Sequence, residues 1–308
     1  MNFYKATVTD FEKTFCEPLS KKVKDKIKEI DLQYTDLTTE EKDTLILDIL
    51  KTLDNPTVKK AGPHRINDWI KGWGENNNEF INNPVFSSLV PKYFGKLPYV
   101  RWNQKFIKPK TKEFEYGMVK VLQYWLFDKY FSTLNNIYEF GCGTGHNLFR
   151  VNEINPQASL YGLDWSDSSL KVIENINKVY DFNIKGHKFD YFNIDNSFNL
   201  GKNSGIFTFA SLEQVGDKSK DFIQYLINQN PKVCLHIEPM GEYLDQENLN
   251  DYLSLKYFEK RNYIKGLRTH LHELEANNQI EILQDQRSYI GSMFVDGYSI
   301  IAWRPKIK

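Results

Sequence analysis

The chain has 308 residues, 41% of them hydrophobic and 26% charged, with 40 lysines and arginines balancing 40 aspartates and glutamates. That composition is ordinary for a globular protein with one large core or two modest ones. A net charge of zero offers nothing to draw the chain to nucleic acid or to an anionic membrane, so neither is an expected partner.

The opening stretch, "MNFYKATVTDFEKTF", has no basic segment followed by an apolar run, which argues against a signal peptide. No apolar run approaches the roughly 20 residues that a bilayer-spanning helix needs. Cys16, Cys142 and Cys234 are far apart and form no CxxC pair, so a reduced, cytoplasmic chain is expected. Nothing in the sequence specifies an oligomeric state.

Residues 1–114 read as a mostly helical region, a cap that binds substrate. Thr38 and Glu41 have the spacing of a capping box, and Ile46, Ile49, Leu50 and Leu53 then recur at helical intervals until Asn55-Pro56. The segments "HRINDWIKGWGENNNEF" and "LVPKYFGKLPYVRWNQKFIKPK" show neither a clean period nor a strand-turn-strand rhythm. They have the composition of a polar pocket wall, with Trp73, Glu75, Asn76, Arg101, Trp102 and Asn103. Aromatic rings beside amides and a guanidinium suit a sugar or another polyhydroxyl molecule; packing of a loop is the alternative. A helical run, "FEYGMVKVLQYWLFDKYF", follows.

From residue 136 short apolar runs alternate with helical patterns: "NIYEF", "SLYGLD", "GHKFDYF", "SGIFTFA", "KVCLHIEP", "IEILQDQ" and "YSIIAW". Helix-length spacers between the first five predict parallel strands with crossover helices. The last two, with Asp296-Gly297 between them, suit an antiparallel pair at a sheet edge. Between strands five and six, "DYLSLKYFEKRNYIKGLRTHLHELE" reads as one helix carrying Tyr257, Arg261 and Tyr263. Arg261 has the chemistry to clamp a phosphate or carboxylate of a substrate; a surface ion pair is the alternative.

The first strand runs into Gly141, Gly143 and Gly145, a G-x-G-x-G turn opening a helix. This is the nucleotide-binding corner of a doubly wound sheet. Position 146 is histidine where the dinucleotide fingerprint needs glycine, and no Gly-Lys-Ser/Thr ending follows as a P-loop requires. Glu139, two places before the first glycine, would repel a pyrophosphate but suits a ligand with an ammonium and a sulfonium. Asp164, 19 residues after Gly145, stands where a carboxylate can accept from both hydroxyls of a ribose.

On these residues the chain resembles the class I S-adenosylmethionine-dependent methyltransferases: "EFGCGTG" is similar to their first motif, "YGLDWS" to their ribose-binding acidic position and "KFDYF" to the segment flanking the adenine. The resemblance covers roughly residues 115–308. It implies a doubly wound, mostly parallel seven-stranded sheet, a Rossmann-like α/β fold, with the N-terminal helical cap added, and S-adenosyl-L-methionine as cofactor. Glu139, Gly141 and Gly143 would line its methionine half, with Cys142 as a small turn residue between the glycines. Asp164 would hold the ribose, Trp165 and Ser166 would lie beside the adenine, and Asp190 would meet the adenine amino group with Tyr191 next to it. For Asp190 a local cap is the alternative. Ala210 and Ser211 would lie near the ligand.

Methyl transfer to a hydroxyl needs a positioned base. Ligands sit outside the carboxyl ends of the strands, which directs attention to Glu213, His236 and Glu238. Strand alternation puts His236 and Glu238 on one side, where either would serve as base or acceptor anchor; a core histidine and a cap before Pro239 are the alternatives. His146 is expected to face solvent. His270 and His272 are two apart on a helix and the other histidines are scattered, so no metal is expected. The expected activity is methyl transfer to a polar small molecule, at oxygen, with a sugar, nucleotide sugar or glycan as acceptor. A macromolecular acceptor such as a protein, or a non-catalytic module that only binds the cofactor, are the competing readings.

Overall fold

The computed structural model describes residues 2–306. In chain order it has β1 (Tyr4–Lys5), α1 (Val8–Phe15), α2 (Lys21–Lys28), β2 (Gln33–Asp36), α3 (Thr39–Asp54), α4 (Ile66–Asn82), β3 (Val100–Trp102), β4 (Lys105–Pro109) and α5 (Phe114–Phe131). Next come β5 (Asn136–Phe140), α6 (His146–Ile154), β6 (Ser159–Asp164), α7 (Asp167–Tyr180), β7 (Ile184–Lys188), β8 (Ser204–Phe209), α8 (Ser219–Gln229) and β9 (Val233–Glu238). The chain ends with α9 (Leu249–Arg261), α10 (Leu267–Ala276), β10 (Ile280–Gln286), β11 (Ile290–Ser292) and β12 (Ser299–Pro305).

The main sheet has seven strands in the order β10-β12-β9-β8-β5-β6-β7. Strands β7, β6, β5, β8 and β9 run parallel, while β12 pairs antiparallel with both β9 and β10. The sheet is therefore mixed, and its order reverses on either side of β5. That reversal opens a crevice at the carboxyl end of β5, where ligands of open α/β sheets bind.

Both faces of the sheet are covered because its central strands are apolar on both sides. Ile137, Phe207, Leu235 and Ile300 pack with α5, α6 and α7 on one face. Tyr138, Ile206, Cys234, Ile301 and Trp303 pack with α8 and α10 on the other. This two-sided burial is what a parallel sheet with crossover helices requires.

The region before residue 114 is not purely helical. Strands β1 to β4 form a second sheet, β1-β2-β4-β3-β11, whose last strand comes from the far end of the chain. The segment that lacked strand rhythm holds the β3–β4 hairpin, whose turn residues Asn103 and Gln104 both have positive φ, 48° and 66°. Such a tight turn leaves strands of three and five residues, too short for a visible alternation. "INDWIKGWGENNNEFIN" forms α4, with Asn76 and Asn77 buried on the same side as Phe80, so an apolar-only count misses its period. The capping box of Thr38 and Glu41 is present at the start of α3. The long helix expected after strand five is two, broken between Asn262, with φ of 54°, and Gly266, with φ of 71°. Between β10 and β12 the chain makes β11 before Asp296, so the antiparallel pair is not closed by a simple hairpin.

Candidate functional site

A cavity of about 350 Å³ opens at the carboxyl ends of β5, β6, β7 and β8, between α4, α9 and the stretch after β11. Its floor is the glycine turn. Gly141, with φ of +76°, approaches Ser211 so closely that an added Cβ would lie 2.4 Å from the Ser211 Cβ. At Gly143, with φ of +53°, an added Cβ would lie 3.0 Å from the Trp73 ring. Only glycine combines that backbone conformation with such approach.

Asp164 ties the turn to the next strand. Its Oδ2 accepts from the Gly143 N–H at 2.9 Å and its Oδ1 from the Ser166 N–H at 2.8 Å. Burial pushes its carboxyl up to about 6, against the pull of these N–H donors. Behind the turn, Asn147 donates to Glu139 Oε1 at 2.6 Å, and Gln123 donates to Asn147 Oδ1. Glu139 Oε2 is buried without a partner, and burial raises the Glu139 carboxyl well above its ordinary value.

Gly141, Cys142, Gly143, Asp164, Trp165, Tyr191, Ala210 and Ser211 all line the cavity. Tyr191 Oη lies 3.2 Å from Ser211 Oγ, which itself donates to the Phe140 carbonyl at 2.9 Å. Glu139 and Ser166 stand one layer back; the Ser166 Oγ is buried without a partner. Asp190 does not line the cavity. Its carboxylate accepts from the Phe192 N–H at 2.8 Å and from Asn193 Nδ2 at 2.9 Å, a local cap that leaves Phe189, Tyr191 and Phe192 as the wall at this point.

Among the expected acid–base residues only Glu213 lines the cavity. Gln214 Nε2 donates to Glu213 Oε1 at 2.7 Å, and burial, reinforced by the neighbouring Glu238 carboxyl, pushes Glu213 up to about 8. Glu238 lies beneath. Its Oε1 accepts from the N–H of Ser211 at 3.2 Å and of Leu212 at 3.1 Å, and its Oε2 accepts from the N–H of Glu213 at 3.1 Å. It thus holds the turn after β8, and its place as base or acceptor anchor is corrected to that of a positioning residue. His236 is corrected likewise. Its ring lies in the core between Phe222 and Trp303, with Nδ1 3.0 Å from Thr208 Oγ1, and burial pulls it down to about 3.

Three further expectations fail for reasons of packing. Arg101 is buried away from the cavity, donating to the carbonyls of Asn250 at 2.8 Å and Met293 at 3.4 Å, where it ties the β3–β4 hairpin to α9. Asn103 sits in the tip of that hairpin, its N–H donating to the Tyr289 carbonyl at 3.0 Å. His146 does not face solvent: it is buried beside Tyr116, with Nδ1 3.1 Å from Thr144 Oγ1, and burial holds it down to about 3, hence neutral. Trp73 and Arg261 do line the cavity.

Sequence reasoning missed Trp69, Tyr93, Glu115, Asn147, Phe294 and Tyr298 on the same wall. Glu115 left a signal, a lone carboxylate on an otherwise apolar stretch of α5. It accepts from the Gly95 N–H at 3.1 Å, and burial pushes it up to about 7. Among the described residues no cluster of three or more histidine, cysteine, aspartate or glutamate side chains is placed to hold a metal, and no helix is long and apolar enough to cross a membrane.

An adenosyl donor with an ammonium and a sulfonium fits the residues present. The glycine cradle admits no side chain, and the free Glu139 oxygen and the partnerless Ser166 hydroxyl stand behind it.

Residues 133–278 match the family model described as a methyltransferase domain. No curated protein matches the chain by sequence. Among solved structures, the chain is similar to human N-acetylserotonin methyltransferase in complex with SAM, at 13% identity and a TM-score of 0.40, over 78% of this chain and 65% of that one. It is thus shorter than two thirds of that protein in the part it spans. It is also similar to the plantazolicin methyltransferase BpumL in complex with a monoazolic desmethylPZN analog and SAH, at 12% identity and a TM-score of 0.45, over 80% and 98% of the two chains. An O-methyltransferase family protein from Burkholderia thailandensis is similar at 13% identity and a TM-score of 0.44, over 62% and 55%. The glycine turn and Asp164 both lie inside the segment that matches the methyltransferase domain.

Proposed function

We propose that the cavity transfers a methyl group to an oxygen of a polar small-molecule acceptor, with Glu213 as the base. The observation that carries this reading is the position of Glu213 on the same cavity wall as Gly143 and Asp164, with one carboxylate oxygen held by Gln214. Glu139, Gly141, Gly143, Asp164 and Ser211 would hold S-adenosylmethionine, which supplies a methyl group on a sulfonium that departs as a neutral thioether. Glu213 Oε2 takes the proton of the acceptor hydroxyl, which leaves that oxygen free to form the new bond to carbon. A base titrating near 8 is close to the operating pH, the condition for efficient proton transfer. Trp69 and Trp73 of α4, together with Tyr93, cover the cavity and exclude water, so that the N-terminal region acts as the acceptor cap.

The sugar, nucleotide-sugar or glycan reading keeps Trp73 as a stacking surface but loses the support of Arg101 and Asn103. Transfer of a tritiated methyl group from S-adenosylmethionine across a panel of hydroxylated small molecules, proteins and RNA tests the proposal. Label in a small molecule, lost in Glu213→Gln, is the expected result. Label only in protein would favour the macromolecular reading. Binding of S-adenosylhomocysteine without any transfer would favour a non-catalytic module.

A further inference from the structure

We infer that the acceptor is a small aromatic molecule carrying an anionic group, its ring seated on the aromatic cavity wall and its anion paired with Arg261; this rests on the methyl-transfer reading of the same cavity. Arg261 is the only lysine or arginine on the cavity wall among the described residues. Its Nε is buried with no hydrogen-bond partner, and among the described residues Glu213 acts on it through charge without a contact ion pair. The side chain is nonetheless fixed in place. The guanidinium lies 5.4 Å from the centre of the Tyr263 ring and 6.0 Å from that of Tyr257, and the Arg261 carbonyl accepts from the Ala61 N–H at 2.6 Å.

A half-buried guanidinium whose Nε lacks a partner has donor capacity to offer a ligand, and its planar fork matches a carboxylate or phosphate through two parallel hydrogen bonds. Glu213 is the cavity carboxyl that acts on Arg261, and burial pushes it up to about 8 in spite of the guanidinium, so at neutral pH it compensates that charge only in part. His146, held down to about 3, adds no second cation.

The rest of the wall is flat and apolar. Tyr257 and Phe294 are stacked at 5.1 Å and 17°, and Trp69 and Trp73 at 5.3 Å and 25°. Such surfaces suit a planar ring. Size narrows the class further. The cavity of 350 Å³ is near the lower end of the roughly 300–1,000 Å³ typical of ligand pockets. The cofactor would take the Asp164 end of it. A cavity this small, shared with the cofactor, favours a compact acceptor over a nucleotide sugar.

The test is calorimetric and needs no turnover. Protein loaded with S-adenosylhomocysteine is titrated with 4-hydroxybenzoate, indole-3-carboxylate and 4-hydroxyphenyl phosphate, with the two matching neutral amides, with methyl glucoside and with UDP-glucose. At least one aryl anion is expected to bind tenfold or more tightly than its neutral counterpart and than either sugar. In Arg261→Gln that difference is expected to vanish while S-adenosylhomocysteine affinity stays within about twofold. Equal affinity for anion and amide, preference for either sugar, or no binding by any aryl anion would overturn the inference. So would loss of S-adenosylhomocysteine binding in a folded Arg261→Gln, which would assign the guanidinium to the cofactor. Were that variant not to fold, the anion-against-amide comparison in the natural protein still decides. If S-adenosylhomocysteine does not bind the natural protein, it is the methyl-transfer reading that fails instead.

Discussion

The carboxylate of Glu238, at the end of β9, accepts a hydrogen bond from the backbone N–H of Glu213, just past the end of β8, at 3.1 Å. One buried glutamate thereby sets the position of another. With the N–H groups of Ser211 and Leu212 also on Glu238, three consecutive N–H groups of the turn that lines the cavity converge on a single side chain.

Replacing Glu238 by glutamine leaves one oxygen for three N–H donors and turns an amide N–H₂ toward the others. Loss of about 1–3 kcal/mol of stability is expected. Affinity for S-adenosylhomocysteine and turnover are expected to fall together, since Ser211 and Glu213 belong to the same turn. Chemical denaturation and calorimetry on the variant measure both; a turnover loss with stability and affinity intact would return Glu238 to the chemistry.

Glu213→Gln has the opposite signature. S-adenosylhomocysteine affinity is expected to change by less than about threefold and methyl transfer to fall by 10²–10⁴, the range for a lost general base. In the natural protein, turnover is expected to rise with pH up to about 8, where Glu213 becomes ionised, and then level off. A flat profile between pH 6 and 9 would remove Glu213 from proton transfer.

Stability is expected to fall as pH rises between about 6.5 and 8.5. Burial raises Glu115 and Glu238 to about 7 and Glu213 to about 8. In that window the folded state binds more protons than the unfolded one, and their release as pH climbs favours unfolding. Buried His146 and His236, held down to about 3, act in the other direction, but only below about 6.5. Melting temperature recorded across the window checks the sign, with roughly 2–4 °C expected for each kcal/mol.

Gly143→Ala is expected to abolish detectable binding of S-adenosylhomocysteine while the protein remains folded. A methyl group there meets the Trp73 ring at 3.0 Å with φ of +53°, so the turn and α4 must separate. The readout is calorimetry together with tryptophan fluorescence. Cofactor binding unchanged from the natural protein would show that α4 gives way freely.

Asp164→Ala removes the acceptor for the Gly143 and Ser166 N–H groups. It is expected to weaken S-adenosylhomocysteine binding by about 1–3 kcal/mol. Unaltered affinity would take Asp164 out of the site.

What was legible in the sequence is what is written locally. The central strands of the main sheet read as apolar runs because they are buried on both faces, whereas the edge strand β7, half-exposed, lies earlier than its reading, at Ile184–Lys188. The glycine turn and Asp164 were legible because backbone conformation and strand ends constrain residue type within a few positions. Alternation correctly put His236 and Glu238 on one side of β9, yet no local pattern says which side opens into a cavity and which is covered by Phe222 and Trp303. Tertiary structure alone decided that, and it alone brought Trp69, Glu115, Arg261 and Tyr298 to one wall from four distant parts of the chain. Residue type and spacing record what a segment prefers by itself. The shape of the cavity arises from packing between segments, which no single stretch encodes.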